Sequence, residues 1–408
     1  MKFNTALLHQ GFSGDKATGA TSVPIYQVSA FAHESAENLE KVFHNKAAGF
    51  SYTRISNPTV DSFEKRIAAL EKGIGAVACS SGMAAVTMSL LNILSAGDEI
   101  IAGSGLFGGT IDLFSDLRAL GITTHFVNNV TAEEIEPLIH ENTKAVFTEL
   151  IGNPRLDVVD LKSVSELLHS RGIPLIVDST TATPYLIHPF DYGADIVVHS
   201  SSKYINGGGN SISGVIVDSG SFKWNTERYK GFEEYNRYGK FAYLAKLRNG
   251  IWRNTGCCLA PMNAFLNSIG LETLGLRMER LCSNALALAE FLESADGVTV
   301  NYPALKSSPY YDLVHRQLSG KGGAILTIRA GSKERAFKLI NHLNFAVNAT
   351  NIGDVRTLVI HPASTIYAHA TDEQKIHAGV YEDTIRISVG IEDIEDLIDD
   401  FKQAIEQI

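Results

Sequence analysis

The sequence predicts an α/β protein built on a large, mostly parallel sheet that helices cover on both faces. From about residue 62 to residue 220, short apolar and β-branched runs alternate with helical periodicity. This alternation is typical of a parallel sheet with helical crossovers. The 408 residues are 45% hydrophobic and 20% charged, which suits a protein with two or more buried cores.

Glycines and a proline interrupt the first fifty-odd residues, so we expect an arm with few elements of its own. After this arm, helical periodicity predicts helices at Phe63–Leu70 and Met83–Leu94. The strands predicted for the large sheet are Gly75–Cys79, Glu99–Ile101, Thr124–Val127, Ala145–Phe147, Leu175–Val177 and Asp195–Val198.

Residues 221–250 break this rhythm, and a helical pattern begins near Pro261. Strand candidates follow at 324–328 and 384–389, with a helical tail from Glu392. We therefore predict an arm at 1–60, an α/β domain at 61–255 and a smaller α/β domain at 256–408.

The charge and the cysteines exclude several classes of function. The 35 basic and 45 acidic residues give a net charge of −10, which provides no field to attract nucleic acid. Cys79, Cys282 and the vicinal Cys257–Cys258 lack metal-ligand spacing and are expected to be reduced. No apolar run reaches the roughly 20 residues of a membrane span, and the start does not resemble a secretory signal. We expect a cytoplasmic protein that binds no metal.

Lys203 directly follows a buried strand and a cluster of hydroxyls at Ser200, Ser201 and Ser202. A lysine in this position can form a Schiff base while the hydroxyls hold a phosphate. The combination indicates pyridoxal 5'-phosphate (PLP), although a single Ser-x-x-Lys is more often a surface loop. Asp178 ends the preceding predicted strand, where its carboxylate can pair with a protonated pyridine nitrogen. Taken alone, such an aspartate is more often a helix cap or an ordinary polar terminus.

Small residues around Ser81, Gly82 and Met83 lie at the entrance of an alanine-rich helix. Backbone N–H groups at such an entrance can bind a phosphate, and an ordinary serine cap is the alternative. Gly103–Gly108 also fits Gly-x-Gly-x-x-Gly, the dinucleotide fingerprint of dehydrogenases. We discount it because it is not the first βα turn and no acidic residue ends the next strand. Phe107 within it could instead stack on a pyridine ring.

Several motifs occur in one order along nearly the whole chain: Tyr52–Thr59, Ser81–Met83, Gly152–Pro154, Val177–Asp178, His199–Tyr204, Gly270–Leu274 and Arg386–Gly390. By these motifs the chain resembles the PLP-dependent enzymes of cysteine and methionine metabolism, the trans-sulfuration family. The family includes cystathionine synthases and lyases, methionine γ-lyase and O-acetylhomoserine sulfhydrylase. The resemblance implies an aspartate-aminotransferase-like fold with an N-terminal arm.

The resemblance also implies roles for individual residues. Lys203 would carry the cofactor and move protons, Asp178 would hold the ring nitrogen, and Asn153 would lie near the ring hydroxyl. Phe107 would stack on the ring. The phosphate would be bound by Ser81, Gly82, Met83, Ser200 and Ser202. Asn351 and Arg386 would bind the substrate. The planar guanidinium of Arg386 suits an α-carboxylate.

Tyr52 and Arg54 match a pair that reaches the phosphate from a neighbouring subunit in this family. The active unit would then be at least a dimer, and a homotetramer built from such dimers is expected.

Within the family, the motifs at 107–110, 152–156 and 350–354 look most like those of O-acetylhomoserine sulfhydrylase. Gly109 occupies the position that resembles a cysteine site in methionine γ-lyases, which makes a lyase less favoured. Four residues depart from the usual pattern: Phe107 replaces a tyrosine, Gly208 a histidine and Asn351 a serine typical of lyases, and Tyr367 interrupts a Thr-Thr-His run. Phe107 cannot donate a proton, which favours acetate over a thiolate as leaving group.

The sequence thus predicts γ-replacement on O-acetyl-L-homoserine with sulfide or a thiol, giving homocysteine or methionine plus acetate. Lys203 would remove protons from Cα and Cβ before the acyloxy group leaves. γ-Elimination from methionine is the nearest alternative, and cystathionine synthesis or cleavage ranks third. A dehydrogenase, or a binding protein without turnover, would represent other classes.

Overall fold

The computed structural model describes residues 1–12, 14–15 and 18–408. Two sheets organise the chain. The larger has seven strands in the order β1-β7-β6-β5-β4-β2-β3. Its strands are β1 (Gly75–Cys79), β2 (Glu99–Gly103), β3 (Thr123–Val127), β4 (Thr143–Glu149), β5 (Leu175–Asp178), β6 (Ile196–His199) and β7 (Gly214–Asp218). Strands β2 to β6 are parallel to one another, whereas β7 is antiparallel to both β1 and β6.

The smaller sheet has five strands in the order β10-β11-β12-β9-β8. Its strands are β8 (Thr299–Asn301), β9 (Ile325–Arg329), β10 (Val347–Asn348), β11 (Leu358–Ile360) and β12 (Thr384–Ser388). Only β10 and β11 pair in parallel. This second sheet lies after residue 256 in the chain, as expected; the boundaries at 60 and 255 remain predictions.

The helices up to residue 200 are α1 (Phe3–His9), α2 (Ala36–Phe43), α3 (Pro58–Glu71), α4 (Gly82–Leu91), α5 (Gly108–Leu117), α6 (Ala132–Ile135), α7 (Leu161–Ser170) and α8 (Thr183–Leu186). Those that follow are α9 (Ala242–Asn249), α10 (Ile251–Thr255), α11 (Pro261–Glu272), α12 (Leu274–Ser294), α13 (Tyr311–Leu318), α14 (Lys333–His342), α15 (Asp372–His377) and α16 (Ile394–Ile405). Short 3₁₀ turns lie at Arg118–Leu120, Glu136–Leu138, Pro189–Tyr192, Glu227–Phe241 and Pro362–Ser364. Among the helices of the described residues, none is long and apolar enough to cross a bilayer.

Helices cover both faces of the large sheet because its strands bury side chains on both sides. Val177 and Val197 belong to the core cluster that includes α3, α7 and α12, whereas Ile176 and Val198 belong to the cluster that includes α4, α5 and α9. Successive strand residues alternate between faces, so neighbours in one strand enter different cores. The predicted sheet with two covered faces is confirmed.

The predicted elements are largely found, with differences at their ends. The helix predicted at 83–94 ends as α4 at Leu91, because Asn92 is followed by a turn in which Asp98 accepts the Ser95 N–H. The arm contains α1 and α2, and α2 has no buried residue. The predicted break at 221–250 is a run of 3₁₀ turns with non-helical backbone at Tyr229 and Gly239, followed by α9.

Candidate active site

A cavity of about 750 Å³ opens at the carboxyl ends of β4, β5 and β6, where loops of the smaller sheet also reach. This volume is typical of a small-molecule site, and the carboxyl edge is where ligands bind in open α/β sheets. The cavity brings together eleven of the thirteen residues predicted from the sequence: Ser81, Gly82, Met83, Phe107, Asn153, Asp178, Ser200, Ser202, Lys203, Asn351 and Arg386.

Lys203 follows β6 and reaches into the cavity. Its Nζ donates to Oδ1 of Asn351 at 2.6 Å. Burial, with a further contribution from the nearby Arg386 charge, lowers the pKa of Lys203 to about 8. A substantial fraction of the amine is therefore neutral near physiological pH, and the neutral amine is the form that acts as nucleophile and base.

Arg386 lies in the middle of β12, where it is 3% exposed. Its Nη1 donates to Oδ1 of Asn153 at 3.3 Å, and its Nη2 donates to the Asn351 carbonyl at 3.0 Å. Its Nε is buried and has no hydrogen-bond partner among the described residues. Burial lowers the pKa of Arg386 to about 10, so the guanidinium stays charged at neutral pH. A buried cation with an unused donor fits a carboxylate ligand.

Asp178 and Glu149 are paired residues at the ends of β5 and β4. Asp178 Oδ1 accepts the Thr180 N–H at 2.9 Å, and burial raises the pKa of this carboxyl. Glu149 accepts the N–H groups of Phe107 at 2.7 Å and Asn153 at 3.2 Å. Burial and then the Asp178 charge raise the Glu149 pKa well above its usual range. A cation placed between these carboxyls, such as a protonated ring nitrogen, would favour their ionised forms.

The N-terminus of α4 forms a cup at one end of the cavity. Ser81 caps the helix by accepting the Ala84 N–H at 3.0 Å. The N–H groups of Gly82 and Met83 have no earlier helical carbonyl to bind, and no described residue accepts from them. A Cβ on Gly82 would lie 2.6 Å from Ser200 Oγ, so glycine at this position lets the Ser200 hydroxyl approach the helix N-terminus. This geometry fits the phosphate of PLP.

Ser202 contributes to this cup differently from Ser200. Its hydroxyl donates to the Ser213 carbonyl at 2.9 Å and accepts the Ser213 N–H at 2.8 Å. These bonds tie the loop after β6 to the loop before β7. Ser202 therefore lines the cavity with a hydroxyl that the protein already engages.

Phe107 precedes the first residue of α5 and is 36% exposed. Its ring lies against Gly109, where an added Cβ would be 2.7 Å from Phe107 Cε1. Tyr367 is close by and donates its hydroxyl proton to the Leu106 carbonyl at 3.1 Å. Two of the residues that depart from the family pattern are thus neighbours in space.

Tyr52 and Arg54 do not line the cavity of their own chain. Tyr52 is 43% exposed, and the Arg54 guanidinium lies 5.6 Å from the centre of its ring. Arg54 Nη1 donates to the Arg253 carbonyl at 2.8 Å. The role expected for this pair requires a second subunit and remains a prediction.

Sequence reasoning missed several polar residues that line the cavity, namely Thr110, Glu149, Thr180, Thr181, Ser211, Thr350 and Thr365. Glu149 could have been found, because it lies two residues after the predicted strand Ala145–Phe147, beside the strand that ends in Asp178. Thr180 accepts the Ser200 N–H at 2.8 Å and so connects the β5 and β6 loops, a role that depends on strand order.

Comparisons with known proteins show the family to which the chain belongs. Residues 4–406 match the family model described as "Cys/Met metabolism PLP-dependent enzyme". The chain is 44% identical to homocysteine synthase of Schizosaccharomyces pombe, with 99% of this chain and 98% of that protein covered. It is 41% identical to O-acetyl-L-homoserine sulfhydrylase of Corynebacterium glutamicum, with 98% and 96% covered.

Solved structures share the whole fold. A structure described as an O-acetylhomoserine (thiol)-lyase of Campylobacter jejuni superposes with a TM-score of 0.93 at 34% identity, with all of both chains covered. That structure carries a pyridoxyl-lysine phosphate residue. A cystathionine γ-lyase of Lactobacillus plantarum, in complex with L-serine, gives a TM-score of 0.87 at 31% identity, with 100% and 99% covered. These neighbours confirm the predicted fold class.

Proposed function

The chain belongs to the family of PLP-dependent enzymes of cysteine and methionine metabolism, and on this premise we propose that it catalyses γ-replacement on O-acetyl-L-homoserine. Sulfide or a thiol takes the place of acetate, which gives homocysteine or methionine. The family membership confirms the predicted PLP cofactor. Relatives named homocysteine synthase and O-acetylhomoserine sulfhydrylase, similar over almost their whole length, support the reaction.

The observation that carries the proposal is the meeting of Lys203, Asp178 and Arg386 in one cavity. These residues provide a buried amine, a carboxyl at the strand end and a buried guanidinium. An amino-acid substrate needs each of them: a base for its Cα proton, a partner for the cofactor ring and a cation for its carboxylate. Their convergence from distant parts of the chain supports the assigned roles.

PLP, when bound, supplies an electron sink that stabilises negative charge at the substrate carbons next to the amino group. The neutral amine of Lys203 takes the Cα proton and, after giving that proton up to the bound cofactor, takes a proton from Cβ. Asn351 Oδ1 orients the amine through their 2.6 Å hydrogen bond. Arg386 binds the α-carboxylate, and the cup around Ser81, Gly82, Met83 and Ser200 binds the phosphate. Asn153 holds Arg386 Nη1 and lines the same wall.

Phe107 supports an ester as the substrate. It offers an aromatic face but no proton, and general acid help is commonly worth about 10²–10⁴ in rate. Acetate is a weak base and leaves without such help, whereas a thiolate leaving from methionine depends on it more. We therefore place O-acetylhomoserine ahead of methionine as substrate.

A side-by-side assay tests the reaction. Purified enzyme is incubated with O-acetyl-L-homoserine plus sulfide, and separately with L-methionine alone. We expect homocysteine to form faster than 2-oxobutyrate is released from methionine. Faster release of 2-oxobutyrate than formation of homocysteine would show that the enzyme is a γ-lyase and not a transferase. A visible cofactor band without turnover of either substrate would indicate a binding protein.

We also propose that two subunits share each active site and that the dimers pair into a homotetramer. Tyr52 and Arg54 lie outside the cavity of their own chain, on an exposed part of the arm. Apolar arm side chains are exposed as well, including Val28 at 46% and Phe43 at 60%. Exposed apolar surface of this kind suits contact with a second copy. Sedimentation analysis would give the number of subunits.

We propose a cytoplasmic location, because Cys79, Cys257, Cys258 and Cys282 are all free thiols. Such thiols persist in a reducing compartment. Cell fractionation followed by the replacement assay tests this, and activity in an extracellular or periplasmic fraction would contradict it.

A further inference from the structure

Both polar groups of the peptide that joins Leu106 to Phe107 are held by side chains. The Leu106 carbonyl accepts from the Tyr367 hydroxyl at 3.1 Å. The Phe107 N–H donates to Glu149 Oε1 at 2.7 Å. Because the peptide unit is planar, these bonds fix its plane from two sides. The direction in which Phe107 leaves the backbone is thereby restricted.

The bond from Tyr367 is shielded from water. Tyr367 is 3% exposed and Leu106 is 2% exposed. Burial raises the pKa of the Tyr367 phenol, so the hydroxyl keeps its proton and remains a donor. A buried carbonyl that lost this donor would have no water to replace it.

Tyr367 comes from a distant part of the chain. It lies between β11 and β12 and packs in a small cluster with Ala363, Ala378 and Val380. On its other side its ring faces Gly108, where an added Cβ would lie 3.7 Å from Tyr367 Cζ. The contact therefore joins the segment after β11 to the turn before α5.

We propose that Tyr367 is a positioning residue that holds the Phe107 ring in place as the face on which the cofactor ring rests. The inference rests on the proposed function only in that the cavity binds PLP. A tyrosine at position 107 could be anchored through its own hydroxyl, whereas Phe107 has none. The backbone must then set the position of the ring, and Tyr367 acts on that backbone.

The test compares Tyr367→Phe with a matched control, Tyr229→Phe. Tyr229 also donates a buried hydroxyl to a backbone carbonyl, that of Lys144 at 2.9 Å, but at the opposite edge of the large sheet. The full chain is freed of cofactor and titrated with PLP, and the visible circular dichroism of the holoenzyme is recorded. We expect Tyr367→Phe to raise the Kd for PLP about tenfold and to weaken the induced signal. Tyr229→Phe should change neither.

A double-mutant cycle with Phe107→Ala shows whether Tyr367 acts through Phe107. We expect Tyr367→Phe to change the Kd less than twofold when Phe107 is already absent. An equal change in both backgrounds, or a Tyr367→Phe variant with unaltered Kd and dichroism, would overturn the inference. Because substrate is absent from these measurements, their outcome does not depend on which reaction the enzyme catalyses.

Discussion

Lys203 and Arg386 both line the cavity, and burial affects their charges differently. The amine of Lys203, with a pKa of about 8, changes charge close to neutral pH. Arg386, with a pKa of about 10, remains a cation there. The site therefore keeps a fixed positive charge for a carboxylate beside a base that is available at physiological pH.

The lowered pKa of Lys203 predicts how fast PLP attaches to the cofactor-free protein. Only the neutral amine reacts, and it becomes dominant as pH rises above about 8. We expect the rate, followed by visible absorbance, to increase about tenfold between pH 7 and pH 9 and then to level. Nα-acetyl-lysine is the control, since its amine has an ordinary pKa. A protein rate that continues to climb beyond pH 10 would contradict the prediction.

Substitution of Arg386 by lysine should affect the substrate more than the cofactor. Lysine keeps the charge but loses the planar fork. We expect kcat/KM for O-acetylhomoserine to fall about 10- to 100-fold, while the cofactor absorbance stays unchanged. Arg329→Lys on the adjacent β9 is the matched control, because that arginine pairs with Asp383. Equal losses in both variants would argue against a carboxylate role for Arg386.

At the scale of elements, the first turn of α4 contains the Ser81 cap and is also proposed to bind the phosphate. Ser81→Ala removes the cap and should cost about 1 kcal/mol of stability. Ser332→Ala is the control, since Ser332 caps α14 through the Arg335 N–H. We expect both variants to lose similar stability in urea, and only Ser81→Ala to weaken PLP binding severalfold. Unchanged PLP affinity in Ser81→Ala would place the phosphate elsewhere.

Helix α3 and strand β6 are joined by a buried pair, in which His199 Nε2 lies 2.6 Å from Glu71 Oε1 and both side chains are 0% exposed. Removal of one partner leaves the other buried and unpaired. We expect Glu71→Leu to lower the free energy of unfolding by about 3–5 kcal/mol. Glu373→Leu, which affects the exposed pair with His377, should change it by less than about 0.5 kcal/mol. Urea unfolding measures the free energy of unfolding of both variants. Similar losses would show that the buried pair contributes no more to stability than the exposed pair.

The elements also show what the sequence can reveal. Strands β5 and β6 were predictable because their apolar runs end abruptly at Asp178 and near Lys203. The two hydrogen bonds that hold the Leu106–Phe107 peptide were not predictable, because their side-chain partners Glu149 and Tyr367 are 218 positions apart. Their meeting depends on how the two sheets pack, which no local pattern encodes. The role of Ser202 was predicted only as a phosphate ligand, since its bonds to Ser213 arise from the pairing of β6 with β7.

For the whole molecule, the proposed sharing of active sites between two subunits predicts complementation between inactive variants. Lys203→Ala removes the base, whereas Tyr52→Phe combined with Arg54→Ala removes the pair supplied to the other subunit. In a mixed dimer both defects fall in one site and the other site is intact. After dissociation and random reassociation we expect about a quarter of wild-type activity. Each variant reassociated with itself is the control, and a mixture no more active than these would argue for self-contained sites.

The positions of the cavity walls along the chain have a consequence for biosynthesis. The residues assigned to PLP within one subunit, from Ser81 to Lys203, all precede the end of β7 at Asp218. Asn351 and Arg386, assigned to the substrate, come much later. During translation, the residues assigned to the coenzyme are therefore synthesised long before the residues assigned to the amino-acid substrate. Premature termination between them would leave a polypeptide with the coenzyme's ligands and no means of gripping a substrate.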